Sequence, residues 1–228
     1  MTGNEKKIII ILVISGIIAI IGAQIYKTAT VFKYEDHLDE VLISVDDNHL
    51  TLREFGYYIY ITEEFVQKQA VLYDPADPLH WWNTHFSAGL DSQFVSELAM
   101  KTAINTYLSH AIYSEGAHMA GITLDSSEEE SARLEANDVF QKMNAEQLKK
   151  TGLDGSLIYL AIYRQKLATK YAGDLAVSTD FSGFDDDPGK LLSGDGDYFQ
   201  SVILPQHNVE INEKLIKNIK IGRITVNS

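Results

Sequence analysis

The feature that most constrains this chain is an apolar stretch near its N-terminus, from Ile8 to about Ile25. The stretch contains no charged residue, and its length is close to the roughly 20 residues that a helix needs to cross a bilayer. Lys6 and Lys7 come directly before it. Because basic residues flank the cytoplasmic end of a membrane helix, the sequence predicts a single-pass cell-membrane protein. Residues 1–7 would lie in the cytoplasm, 8–25 would span the membrane, and the bulk of the chain would be extracytoplasmic.

A cleaved signal peptide is the alternative interpretation of this stretch. Cleavage requires small residues at the −3 and −1 positions. The best candidate places Ala23 at −1 but the bulky Ile21 at −3, and the apolar run is longer than a usual signal-peptide core. The sequence therefore favours an uncleaved signal anchor. A buried core helix is disfavoured, because the stretch has no polar face.

The rest of the chain, about 200 residues, is long enough for one sizeable domain or two small ones. The chain carries a net charge of −13 and contains no cysteine. An acidic surface repels phosphate, so the charge disfavours binding to nucleic acid and docking on anionic lipid. Without cysteine the chain has no disulfide, no thiolate metal site and no cysteine nucleophile.

The region that follows a charged juxtamembrane linker over 26–40 is predicted to be a mainly α domain covering 41–177. It opens with a short β-type run, Val41–Val45, and a turn. Thr51 and Glu54 have the spacing of a capping box, which marks the start of a helix. Apolar residues at helical spacing predict helices over about 52–72, 91–119, 126–143 and 157–175.

The C-terminal region changes in character. Residues 178–197 are rich in Ser, Gly and Asp and are predicted to be a loop or partly disordered acidic linker. Within it, Ser193–Asp197 comes nearest to a calcium loop, but it lacks the EF-hand spacing and the terminal Glu, so a solvated linker is favoured. The tail, 198–228, is predicted to be β-like over 198–204, 208–211 and 219–226.

Three pieces of sequence resemble SurA/PrsA-type extracytoplasmic chaperones. Val45–Phe55 (VDDNHLTLREF) is similar to the family's opening pattern V-N-G-x-x-I-T-x-x-E-F. Ala117–Glu129 (AHMAGITLDSSEE) looks like the junction A-x-x-x-G-I-x-L-S-x-x-E, and Gly152–Asp154 precedes a helix like the last one before the family's isomerase insert. The resemblance covers about 41–180 and implies a helical, substrate-cradling domain of the SurA N-terminal or trigger-factor C-terminal kind.

A parvulin-type prolyl isomerase domain usually follows in that family, and here the sequence departs from the pattern. Tyr198–Leu204 is similar to the first parvulin strand, but Val202 stands at the position of its histidine. Ile219–Val226 looks like a later parvulin piece. The tail over 198–228 is far too short for a complete parvulin domain and is interpreted as a remnant, so we predict no isomerase activity.

Candidate binding residues come from an aromatic-rich set near the first helix. A chaperone needs apolar surface that holds unfolded segments, and aromatic side chains supply it. His80 and His85 beside the tryptophans suggest a metal patch, but packing is favoured because carboxylate or cysteine partners are lacking nearby. No catalytic residue, cofactor or metal ligand is predicted. The predicted polypeptide-binding residues are Tyr57, Tyr60, Phe65, Trp81, Trp82 and Phe86.

These observations favour a membrane-anchored, non-enzymatic, chaperone-like protein that binds unfolded or partly folded exported polypeptides. A dedicated assembly or interaction subunit for one membrane or secreted partner is the alternative. A prolyl isomerase with a shortened catalytic domain is the least favoured. The predicted partners are exported polypeptides and the membrane, without nucleic acid, and a homodimer is compatible with the sequence.

Overall fold

A computed structural model describes residues 32–86 and 92–226. This part of the chain is mainly helical with one small sheet, which confirms the prediction of a mainly α domain. None of the described helices is both long and apolar enough to cross a membrane. The predicted anchor over 8–25 and the cytoplasmic residues 1–7 lie outside the described residues, as do residues 26–31 of the linker.

The sheet joins both ends of the described chain. Strands β1 (Val41–Val45) and β2 (Asn48–Thr51) form an antiparallel hairpin, and β3 (Val209–Ile211) pairs antiparallel with the other edge of β1. Asp46 in the hairpin turn contacts the residues that precede β3. Its carboxylate accepts a hydrogen bond from the backbone N–H of Asn208 (2.8 Å) and pairs with the Nδ1 atom of His207 (2.7 Å). The His207 contact, followed by the Asn208 bond, lowers the pKa of Asp46.

The first long helix, α1 (Leu52–Tyr73), begins at the predicted capping box. The Thr51 side chain accepts from the Glu54 backbone (3.3 Å), and the Glu54 carboxylate accepts from the Thr51 backbone (2.9 Å). These bonds use backbone donors that the first turn of a helix leaves free. The next element is a short helix, α2 (Pro78–Trp82), which packs against α1.

The remaining long helices form the core with α1. Helix α3 packs against α1 and α6, and α4 packs along α6. Capping boxes or side-chain caps at Asp125, Asn144 and Asp154 begin α4, α5 and α6, because each side chain accepts from otherwise unpaired N–H groups. The predicted helices are confirmed, although the second begins later than expected. The helices are α3 (Val95–Met119), α4 (Ser126–Lys142), α5 (Ala145–Thr151) and α6 (Gly155–Ser178).

The stretch 178–197, which the sequence predicts to be a loop or partly disordered acidic linker, is largely loop but docks on the core near its C-terminal end. A short helix, α7 (Pro188–Leu191), lies within it, and Leu191 and Leu192 are buried. The carboxylate of Asp195 accepts from the Asn105 side chain on α3 at 2.7 Å. Composition suggested solvation, but two apolar residues inside the acidic stretch are enough to dock it on the core. From Tyr34 onward the chain forms one compact unit.

The β-like tail is confirmed at 208–211 alone. Residues Phe199–Ile203 form a π-helical turn that continues as a 3₁₀ turn, because the buried Phe199 ring packs against Tyr113 with centroids 5.5 Å apart. A short helix, α8 (Glu213–Ile216), follows β3. The C-terminal segment, defined here as residues 219–226, is neither helix nor strand. Both pieces that are similar to parvulin strands therefore have other conformations.

Candidate polypeptide-binding site

Glu63 on α1 fixes the position of the C-terminal segment. Its side chain is fully buried, and its carboxylate accepts from the backbone N–H groups of Gly222 and Thr225 at 2.5 Å each. Further bonds come from the Thr225 hydroxyl (2.5 Å) and from the N–H groups of Ile224 and Val226 (3.2 Å each). Successive N–H groups that converge in this way form a concave anion site. Here the anion is the protein's own carboxylate.

This arrangement explains why 219–226 is not a strand. The backbone donors that a sheet partner would use point at one side chain instead. Burial raises the pKa of Glu63, and the hydrogen bonds from Thr225, Ile224 and Gly222 oppose that rise. Helix α5 holds the segment from another side, since the Gln147 side chain donates to the Thr225 carbonyl at 2.6 Å. The C-terminal segment is therefore held firmly across α1.

Gly222 brings the segment directly onto the indole of Trp82. Its φ is +89°, and a Cβ atom there would lie 2.6 Å from Trp82 Cδ2. A side chain has no room at such a distance, so glycine serves both the conformation and the close approach. Trp82 is 2% exposed and donates its Nε1–H to Gln67 on α1 at 3.1 Å.

A cavity of about 630 Å³ opens beside Trp82, between α2, the start of α3 and the chain from Ile216 to Arg223. We call it the Trp82 cavity. Apolar side chains supply much of its lining, whereas Lys217, Lys220 and Arg223 bring positive charge to it. Such a cavity can bind an apolar group and an anionic group together. Its apolar lining includes Leu79, Trp82, Met100, Ile219 and Ile221.

An exposed apolar surface lies on the neighbouring part of the molecule. Of the eleven large hydrophobic residues that are exposed in the described structure, six lie in the second half of α1 or in the stretch from Tyr73 to Phe94. The ring of Tyr73 packs on Trp81 with centroids 4.5 Å apart. The six exposed residues are thus concentrated in one stretch of the sequence, from Phe65 to Phe94. We define the aromatic patch as Phe65, Leu72, Tyr73, Trp81 and Phe86.

The structure separates the six predicted binding residues into two groups. Phe65 and Phe86 are 66% and 64% exposed, and Trp81 is half-buried. In contrast, Trp82 lines the cavity from a buried position. Tyr57 and Tyr60 are also buried, and the Tyr57 hydroxyl donates to the Gln165 side chain on α6 at 3.2 Å. These two side chains belong to the core, and their burial raises the pKa of both tyrosines.

Other residues considered at the sequence level have ordinary local partners. His80 lies 3.8 Å from the Asp74 carboxylate, and His85 Nδ1 is 2.7 Å from the Ser92 hydroxyl. Within residues 32–86 and 92–226, no group of three or more potential metal-binding side chains comes together. Asp195, from the stretch compared with calcium loops, is engaged by α3.

Sequence reasoning missed Glu63 and the cavity that depends on it. Glu63 and Glu64 are adjacent and point in different directions. This difference indicates that one of the two carboxylates is buried. Glu63 falls among the apolar positions of α1, next to Ile59 and Thr62, while the Glu64 side chain is 45% exposed. An acidic residue on a buried face needs donors. The backbone N–H groups of the turn at Gly222 are those donors.

A second polar group also lies in the core. His110 on α3 packs beside Tyr58 with ring centroids 5.8 Å apart, and the Arg164 guanidinium lies over Tyr107 at 5.8 Å. Burial, helped by Arg164, lowers the pKa of His110 to about 4. Within the described structure its buried Nδ1 atom has no hydrogen-bond partner. This imidazole is therefore neutral near pH 7.

No protein-family model, curated protein or solved structure matches this chain. The resemblance to SurA/PrsA-type chaperones therefore rests on the quoted sequence pieces and stays a prediction.

Proposed function

We propose that this protein is a membrane-anchored, extracytoplasmic, chaperone-like protein that holds unfolded or partly folded exported polypeptides and has no isomerase activity. The observation that carries the proposal is the concentration of exposed apolar side chains in the aromatic patch. Apolar surface of this kind is characteristic of protein interaction sites. The N-terminal apolar stretch would keep the patch near the membrane, where exported chains emerge.

The acidic charge of the molecule fits this role. A net charge of −13 keeps a protein with exposed aromatic side chains from associating with itself. Aromatic rings contact many different apolar segments through a large, rigid surface. The patch can therefore bind clients without a fixed sequence, while the charge keeps the complex in solution.

The test is suppression of client aggregation by the full-length chain. Several unrelated unfolded clients are diluted from denaturant, and light scattering is measured with wild-type protein and with Phe65→Ser/Leu72→Ser. We expect wild type to suppress scattering at near-equimolar ratio and the patch variant to lose at least half of that effect. Met119→Ser/Val177→Ser is the matched control, because both residues are exposed but lie outside the patch. Inactivity of the wild-type chain against every client would contradict the proposal.

The alternative is an assembly subunit that recognises one membrane or secreted partner. The firm attachment of the C-terminal segment favours it, because a preformed cavity suits a defined partner better than many. Recovery of one stoichiometric partner from membranes, with no effect on unrelated clients, would support this alternative. The shortened isomerase is decided by a tetrapeptide proline-isomerisation assay, in which we expect the spontaneous rate.

A further inference from the structure

We propose that the Trp82 cavity binds a short acidic peptide segment, with an apolar side chain placed against Trp82 and carboxylates placed at Lys217, Lys220 and Arg223. The inference rests on the proposed polypeptide-binding function and adds a sequence preference to it. It concerns a different surface from the aromatic patch, so the two can fail separately.

The cavity has the size and lining of a binding site. Its volume, about 630 Å³, falls inside the range of roughly 300–1,000 Å³ that is usual for sites that enclose small ligands or side chains. The side chains that line it include an indole, Trp82, a flexible thioether, Met100, and an aliphatic group, Ile221. Methionine adapts to differently shaped apolar partners. An inserted aliphatic or aromatic side chain would thus be well accommodated.

The charge around the cavity is opposite to that of the molecule. Residues 214–223 contain four basic residues and no acidic one, in a chain with a net charge of −13. Glu97 is the acidic residue among the lining side chains, and its carboxylate already accepts from the Phe94 N–H at 3.0 Å. Lys217 has one exposed ion pair, to Glu213 at 3.6 Å.

The other two cations are available to a ligand. Lys220 and Arg223 are exposed, and within residues 32–86 and 92–226 neither has a carboxylate within 4.0 Å. Their backbone is held in place, because Gly222 between them is fixed by Glu63 and by contact with Trp82. Preorganised cations lose less conformational freedom on binding than cations on a mobile loop.

The distribution of charge favours a short segment over an extended polyanion. At physiological salt, charges act over a Debye length of about 8 Å. The cations can attract a few carboxylates within that distance. A nucleic acid or an anionic membrane would extend beyond it and meet the acidic remainder of the surface, which would repel it. A peptide with one apolar side chain between acidic residues matches the apolar lining and the basic edge together.

The experiment measures fluorescence anisotropy of three labelled ten-residue peptides with the full-length chain. All three carry the same central Leu-Phe, flanked by Asp and Glu, by Asn and Gln, or by Lys and Arg. Exposed ion pairs are individually weak, so we expect the acidic peptide to bind about fivefold to tenfold more tightly than the neutral one. The basic peptide should bind most weakly. Equal or tighter binding of the basic peptide would overturn the proposal.

Charge-reversal variants locate the site. Lys220→Glu/Arg223→Glu should abolish the acidic preference, whereas Lys149→Glu should keep it, because Lys149 is exposed but does not line the cavity. An unchanged preference in the double variant would show that the peptide binds elsewhere. Displacement of the peptide by millimolar inorganic phosphate, or by phosphatidylserine vesicles, would show a general anion site and would also overturn the proposal.

The two proposals are distinguished by combining both assays. If the chain binds the acidic peptide but suppresses no aggregation, the chaperone function fails and the cavity assignment stands. If it suppresses aggregation without preferring acidic peptides, the cavity assignment fails and the chaperone function stands.

Discussion

The two halves of α1 have opposite roles although they belong to one continuous helix. In the first half, from Leu52 to Glu63, most side chains are buried, including Phe55 and Tyr58. In the second half, burial within the described structure is confined to Ala70, while Leu72 is 78% exposed. The comparison shows how a single helix can be buried in the core at one end and exposed at the other.

The difference follows from what packs on each half. In the first half, Tyr58 packs on Tyr107 of α3, Gly56 lies against Thr151 of α5, and Tyr57 donates to Gln165 of α6. In the second half, Gln67 accepts from Trp82 of α2. Glu63 lies at the junction. Its bonds hold the C-terminal segment against the end of the buried half of α1. The same segment lines the Trp82 cavity. Four changes test this division, starting with the largest expected effect.

Phe55→Ala should reduce the free energy of unfolding by about 3–5 kcal/mol, because it removes a fully buried ring and leaves a cavity. Phe65→Ala is the matched control on the same helix. Since that ring is 66% exposed, its loss should change stability by less than about 0.5 kcal/mol. Urea unfolding measures both values. Similar losses for the two variants would contradict the division of α1.

Glu63→Ala should cost about 3 kcal/mol, because several buried N–H groups of the C-terminal segment lose their acceptor. Glu64→Ala, next to it but exposed, should be nearly neutral. Urea unfolding gives the free energies, and hydrogen exchange at residues 222–226 shows whether the segment is released. If exchange in the segment stays slow in Glu63→Ala, another contact holds it.

His110 gives the buried half a dependence on pH. Its folded-state pKa, about 4, is below the ordinary value of 6.5, so between these two values the unfolded chain binds the proton and the native one does not. Stability contributed by neutral His110 is present above about pH 6.5 and is lost as the pH falls toward 4, by roughly 2–3 kcal/mol.

His110→Gln should remove this part of the pH dependence, whereas His118→Gln, an exposed position on the same helix, should retain it. The free energy of unfolding, measured by urea at pH 7, 6, 5 and 4.5, makes the comparison. The same slope in wild type and His110→Gln would show that the imidazole is solvated.

Gly222→Ala should have the smallest effect on stability of the four, about 1–2 kcal/mol, because the added methyl group displaces Trp82 and the φ is positive. Gly121→Ala is the control for conformation alone, since its φ is +69° but nothing lies within 4 Å of the new Cβ. Its cost should be about 1 kcal/mol. Tryptophan emission should shift in Gly222→Ala and stay unchanged in Gly121→Ala.

Much of the helical framework could be predicted because its signals are local. Thr51 and Glu54 are three residues apart, and Asp125 and Glu128 repeat that spacing at α4. The C-terminal segment could not be predicted in the same way. Its conformation depends on a carboxylate about 160 positions earlier in the chain. A local sequence pattern cannot predict a contact between positions so far apart.

The candidate site also has features that local sequence signals could predict and features that depend on long-range contacts. Aromatic residues were selected by composition, which could not separate the exposed Phe65 and Phe86 from the buried Tyr57, Tyr60 and Trp82. Helical periodicity does not tell how many neighbours cover a helix. The basic residues around the cavity were not considered, because Lys217, Lys220 and Arg223 line one cavity only when the chain from Ile216 to Arg223 lies beside Trp82.

The link between Glu63 and residues 222–226 also bears on the order of folding. A chain that emerges N-terminus first displays α1 before residues 222–226 are synthesised, so we expect the bonds at Glu63 to form late. Joining positions so far apart in sequence requires the closure of a very long loop, and contacts of this kind form slowly. Until these bonds form, the Glu63 carboxylate and the N–H groups of the segment lack the partners that they have in the folded domain.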